Sequence, residues 1–185
     1  MTPTFPRLKG RTYGYSIEAV DAFIDQARTA YDTAYAPAVV LTSANIRTVS
    51  FPAQKGGYST RHVDAALERL ETAFAERERA VAIAAEGEAS WLEKASHESA
   101  VLTARFARSS KKRFNRVGLF EQGYAIKDVD VFSEKVSAYL EEGAPLSVDE
   151  VRSVVFRAQR GGYDEAQVDA ALDAVTALLL ALGQS

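Results

Sequence analysis

Apolar positions in this chain recur as four helical stripes, each entered through an aromatic residue and a glycine. The stripes are Val20, Phe23, Ile24 and Ala27; Val63, Ala66, Leu67, Leu70 and Phe74; Val129, Phe132 and Val136; and Val168, Ala171, Leu172, Val175 and Leu179. Steps of three and four residues put each set on one side of an α-helix, and a one-sided stripe needs a partner to bury it. Upstream of the stripes stand Phe5, Phe51, Phe114 and Phe156, then the pairs Gly14-Tyr15, Gly57-Tyr58, Gly123-Tyr124 and Gly162-Tyr163. Inside the helices stand Asp21, Asp64, Asp130 and Asp169, each directly after a valine. Tyr precedes Asp by six residues in all four units, whereas Phe precedes Tyr by ten in units one and three and by seven in units two and four. That alternation marks a two-unit block that was itself duplicated. A shift of 109 residues carries Tyr15 onto Tyr124, and one of 105 carries Tyr58 onto Tyr163.

The pattern predicts an all-α fold of tandem hairpin-turn-plus-helix repeats, with a long central helix or helical hairpin. Residues 1–86 read as the first repeat pair, 87–113 as a helical connector and 114–185 as the second pair. Glycine before each Tyr suits a positive φ in a tight turn. Ser16, Ser59 and Asp164 stand where a helix cap is needed, and Asp164 with Gln167 has capping-box spacing. Ala125, in the same place in unit three, is a poor cap. The aspartates fall in the first turns, where the helix dipole favours a carboxylate. The Tyr and lead Phe rings read as core beneath each turn. Helices are expected over 16–35, after Thr42 or Ser43, over 126–142, after Ser147 and over 165–182. Residues 59–108 hold no proline and are helical throughout, either continuous or broken at Gly87. The last helix ends in ALLLAL, apolar on nearly every side, which suits the domain core or a subunit interface, the interface being favoured. Few residues join the first helix to the next short one, so unit two is expected to start near its far end. Unit one is then expected to pair with unit three, and two with four.

The stretch RGGYDEAQVDAAL at 160–172, with its copy around Gly57-Tyr58, resembles the N-terminal domain of the DivIVA family. The longer Phe-to-Tyr spacing of units one and three is similar to the actinobacterial branch. The resemblance covers most of the chain outside roughly 75–110 and implies a non-enzymatic, dimerising scaffold or adaptor of cell division or polar growth. It further implies a cytoplasmic protein that associates with membrane at a pole or septum. The implied partners are DivIVA-like or cell-division proteins, an anionic membrane surface and a second copy in a homodimer. The other reading is a soluble module that pairs with a DivIVA homologue and never touches lipid. In the family an apolar residue beside an arginine at the hairpin tip enters the bilayer. Unit three offers Leu119 and Phe120 there, and unit one offers Tyr13 with Lys9 and Arg11. The tips of units two and four hold Lys55-Gly56 and Arg160-Gly161, with no apolar wedge. Lys111, Lys112 and Arg113 lie in the basic run RSSKKRFNR, either a solvated linker or an anionic-lipid contact.

Composition narrows the classes. The chain has 185 residues, 47% hydrophobic and 25% charged, with a net charge of −3. Nothing in that balance points to nucleic acid, and the basic residues lack aromatic interleaving. Cysteine is absent, which removes disulfides, thiolate metal sites and a cysteine nucleophile. The opening MTPTFPRLKG has no apolar core of a secretory signal, and no window is apolar enough for a spanning helix. Only His62 and His97 are present; Glu93 and His97 sit one turn apart and read as a solvated face. No phosphate loop, dinucleotide fingerprint or nucleophile elbow occurs, so no cofactor and no catalysis are expected.

Overall fold

The computed structural model describes residues 5–32 and 41–183. It is mainly α-helical, with seven helices and four three-residue strands among the described residues. The chain divides into two compact units, Met1–Ala80 and Val81–Ser185.

In the first unit, β1 (Tyr13–Tyr15) leads into α1 (Ile17–Asp32). Then follow α2 (Ser43–Thr48), β2 (Ala53–Lys55) and α3 (Thr60–Glu86), whose last turns belong to the second unit. Strands β1 and β2 run antiparallel, with Tyr13 opposite Lys55, Gly14 opposite Gln54 and Tyr15 opposite Ala53. Tyr15 and Tyr58 then exchange backbone hydrogen bonds at 3.0 and 2.9 Å. Sequence repeats one and two, both inside the first compact unit, therefore pair with each other, which corrects the expected pairing of one with three.

Helices α1 and α3 lie side by side and parallel. Near their starts, Asp21 accepts from the Tyr58 hydroxyl; at the far end, Tyr31 meets Phe74 at 5.4 Å between ring centroids and Arg77 Nη1 donates to Ala30 O at 3.2 Å. The expectation that unit two begins at the far end of α1 fails because the chain doubles back. Ser43 donates through N and Oγ to Glu78, at 2.7 Å each, and Arg47 pairs with Glu71 at 2.6 Å, so α2 runs back along α3. The α1 helix is ~24 Å long at 1.5 Å per residue. The residues from Asp32 to Phe51 can reach ~60 Å when extended, ample for the return. Expected helix residues 33–35 lie outside the described residues. Val20, Ile24, Tyr58 and Val63 form the core, with Phe5, Tyr15, Phe51 and Leu67 packed against it.

In the second unit the elements follow in the same order, with β3 (Gln122–Tyr124), α5 (Ile126–Glu142), α6 (Val148–Ser153), β4 (Ala158–Arg160) and α7 (Glu165–Ala181). Gln122 faces Arg160, Gly123 faces Gln159 and Tyr124 faces Ala158; Tyr124 and Tyr163 exchange backbone bonds at 2.9 Å each. This unit adds α4 (Glu88–Phe106), which packs on both α5 and α7. Gly87, at φ 86° and ψ 154°, separates it from α3, so the 59–108 stretch is broken rather than continuous. Trp91 Nε1 donates to Ala181 O at 3.3 Å, and Phe106 meets Phe114 at 6.2 Å. Leu178, Leu179 and Leu180 are buried inside this unit, which places the ALLLAL end in a core and not at a subunit interface.

Two local expectations are also corrected. Gly14 and Gly123 are not needed for a left-handed backbone, which instead occurs at Gly56 and Gly161. A Cβ on Gly14 would stand 2.1 Å from Tyr58 O, and one on Gly123 would stand 2.2 Å from Tyr163 O. These glycines let two backbones touch. Asp164 does cap α7 through Gln167 N at 2.9 Å, but the Gln167 side chain accepts from Asn115 N at 3.1 Å instead of closing the box. Thr42 with Asn45 and Ser147 with Glu150 form complete capping boxes.

Candidate functional site

The Tyr and Asp of the motif meet across neighbouring sequence repeats, not within one, and always inside one compact unit. Tyr58 Oη donates to Asp21 at 3.1 Å, and Tyr163 Oη donates to Asp130 at 3.0 Å. Tyr15 lies beside Asp64, and Tyr124 beside Asp169, close enough for each carboxylate to act on the hydroxyl. The rings cross over too: Phe5 meets Tyr58 at 5.4 Å, Tyr15 meets Phe51 at 5.4 Å, Phe114 meets Tyr163 at 5.5 Å and Tyr124 meets Phe156 at 5.2 Å. Every sequence repeat thus gives an aromatic ring to its neighbour and receives one, and repeats two and four also donate a hydroxyl. Burial, then the adjacent aspartate, raises the pKa of Tyr15, Tyr58 and Tyr124. Tyr163 is pushed up to about 12, chiefly by burial and also by its bond to Asp130.

The contact at Asp130 is the most elaborate. Its carboxylate accepts from Ser110 Oγ at 2.6 Å, Lys111 N at 2.9 Å and Tyr163 Oη at 3.0 Å, and pairs with Arg113 at 3.1 Å. Arg113 Nε donates to Phe106 O at 3.0 Å, tying α4 to the same point. Burial pushes the Asp130 carboxyl up, but these hydrogen bonds outweigh it and hold the carboxyl below its ordinary range. Arg113 is only 7% exposed, so it is not a membrane or partner contact. Part of the segment read as a linker or lipid contact is a clamp on Asp130, while Lys111 and Lys112 stay exposed on it.

This clamp holds the hairpin turn between Arg116 and Gln122. Val117 N donates to Gly162 O at 3.0 Å, Glu121 N to Gly118 O at 2.9 Å and Gly161 N to Glu121 O at 2.9 Å. Arg116 Nε donates to Gly161 O at 2.8 Å. With the backbone so fixed, Leu119 and Phe120 project into solvent, 79% and 91% exposed. Arg160 is exposed opposite Gln122. Lys111, Arg116 and Lys127 line a cleft of about 530 Å³ beside Asp130, Val131 and Glu134. Arg116 and Lys127 were not singled out from the sequence. The available signal was an arginine two residues after the lead Phe in both longer units, Arg7 and Arg116.

In the first unit the same turn carries Gly10, at φ 70°, and Arg11 in place of Leu119 and Phe120. Lys9 and Arg11 are exposed there. Tyr13 is 57% exposed and lies under Lys55, whose Nζ is 5.6 Å from the ring centroid. The two turns thus present different surfaces, basic in the first unit and apolar in the second.

His62, Glu93 and His97 are exposed, and His62 Nδ1 lies 2.9 Å from Ser59 Oγ. Among the described residues no group of three or more His, Cys, Asp or Glu could hold a metal ion. No helix among them is long and apolar enough to cross a membrane. No protein-family model, no curated protein and no solved structure matches the chain.

Proposed function

We propose that this chain is a non-enzymatic adaptor of the DivIVA type, built from two tandem repeat pairs, which attaches peripherally to anionic membrane. In this reading it serves cell division or polar growth. The observation that carries it is the exposed Leu119-Phe120 turn, held rigidly and flanked by Arg116 and Arg160. Two large apolar side chains raised on a fixed backbone, with guanidinium groups beside them, suit the boundary between headgroups and acyl chains. The parallel pairing of α1 with α3, which the resemblance attributes to two chains, is supplied here within one. Exposed basic groups on the first unit add attraction to an anionic surface without insertion.

Co-sedimentation with anionic phosphatidylglycerol vesicles tests this. Wild type is expected in the pellet and the Leu119→Ser/Phe120→Ser variant in the supernatant. Full burial of a Leu or Phe side chain is worth ~1.5–3 kcal/mol, so losing the pair should change partitioning by at least a factor on the order of a hundred. Wild type that ignores such vesicles would remove the membrane part. The polar turn of the first unit favours what would remain, a soluble module that binds protein through its hairpins and grooves.

A further inference from the structure

The two units differ in what covers their parallel helix pair. In the second, α4 lies on α5 and α7, with Trp91 at the end of α7 and Phe106 against Phe114 at the opposite end. Its buried residues Ala95, Leu102 and Phe106 fall on one face. In the first unit, the corresponding side of α1 and α3 is an apolar cleft of about 430 Å³, lined by Phe5, Ala27, Tyr31, Ala66 and Leu70. The shift that carries unit one onto three and two onto four places Phe5 on Phe114 and Leu70 on Val175. Phe114 and Val175 are buried, at 5% and 0% exposure, whereas Phe5 and Leu70 are only half-buried. The second unit therefore shows what fits the open groove of the first. The rims differ in charge: Arg28, which pairs with Asp25 at 3.4 Å, stands where the second unit has Ser137, and Arg69 where it has Ala174, while the acidic Asp32 of the lining is matched by Glu141.

We propose that the α1–α3 groove docks an acidic amphipathic helix of a partner protein, patterned as α4 is. The pattern is a small residue, a leucine seven positions on and an aromatic four beyond that, with carboxylates flanking the stripe to meet Arg28 and Arg69. The apolar stripe supplies the burial and the two guanidiniums supply orientation and preference for acid. The inference rests on the adaptor reading only for the idea that a partner is held. Its assay uses no lipid, so the two fail separately.

The probes are two labelled peptides of residues 88–108, one of native sequence and one carrying Lys94→Glu and Arg105→Glu. Fluorescence anisotropy with the intact chain is expected to show both binding, the acidic peptide about tenfold more tightly. The Arg28→Glu/Arg69→Glu chain should lose that preference, and Ala66→Arg or Leu70→Asp should abolish binding of both. Circular dichroism checks that each variant keeps its helices, and the two rim substitutions and Ala66→Arg leave the buried core untouched. Absence of binding by either peptide overturns the proposal. So does binding that survives all the groove variants, which would mean displacement of α4 in the second unit. A dimer in light scattering that dissolves on Ala66→Arg would give the groove to a second copy and overturn the partner assignment.

Discussion

Asp21 and Asp130 occupy the same place in their units, yet they carry different loads. Asp21 is half-buried and accepts from Tyr58, while Asp130 is buried with three hydrogen-bond donors and a guanidinium that is itself buried. Asp130→Ala leaves Arg113 buried without its carboxylate and should cost ~3–5 kcal/mol of second-unit stability. Asp21→Ala, beside water, should cost about 1–2 kcal/mol, both read by urea denaturation. Gly14→Ala drives a methyl into Tyr58 O and should disrupt the first unit, whereas Gly10→Ala meets nothing within 4 Å and should cost only the ~1–2 kcal/mol of its left-handed backbone. The depressed Asp130 carboxyl stabilises the fold above its unfolded value, ~3.9, and that stability is lost as pH falls through its lower folded value. The four motif tyrosines, all raised, act at the other end. Their neutral hydroxyls give full stability below the unfolded value, ~10, and it is lost as pH rises, through about 12 for Tyr163. Near-ultraviolet circular dichroism should therefore be flat at neutral pH and collapse in strong alkali, less so for the second unit in Tyr163→Phe.

At the scale of elements, what was legible is what the local chain decides. The helix expected over 126–142 is Ile126–Glu142, ended by Gly143 at φ 69°, and the one expected over 165–182 is Glu165–Ala181. Periodicity and terminal residues determine such bounds without reference to the rest of the fold. What was not legible is which copy touches which. A constant six-residue spacing from Tyr to Asp says that the copies share one geometry, and an exchange between neighbours preserves that spacing as well as a contact within each. The return path along α3 was hidden for a similar reason: Ser43 and Arg47 find Glu78 and Glu71 only after folding. Arg113 looked solvated because its carboxylate stands 17 residues away. Missing caps follow the same logic. Gln54 Oε1 accepts from Ile17 N at 2.8 Å and Gln159 Oε1 from Ile126 N at 3.1 Å, so each strand caps the neighbour's helix and Ala125 is tolerated. Gln54→Ala and Gln159→Ala should each cost about 1 kcal/mol, as a lost N-cap does, measurable as a shift in the denaturation midpoint.

For the whole molecule, the exchange of Tyr and Asp within each pair has a consequence for mass and cooperativity. A single chain already contains the parallel helix pair that the resemblance assigns to a dimer, so at low micromolar concentration light scattering should give 20.1 kDa, and twice that value, unchanged by Ala66→Arg, would refute the internal pairing. Each unit also has its own crossed Tyr–Asp contacts and its own buried valines, Val20 and Val63 in the first and Val129 and Val168 in the second. The sole tryptophan, Trp91, lies in the second unit, so its fluorescence reports that unit, while far-ultraviolet circular dichroism sums both. Asp130→Ala should move the fluorescence midpoint in urea by more than 1 M, given an m-value of ~1–3 kcal/mol/M and a loss of ~3–5 kcal/mol. Asp21→Ala should leave the fluorescence curve in place and shift only the remaining part of the dichroism curve. Superimposable fluorescence and dichroism curves in wild type and both variants would show one cooperative body. In that case the lock at Asp21 would be stabilising residues as distant in the chain as Trp91, and the α3 helix, which passes through the division between Ala80 and Val81, would be the element that transmits it.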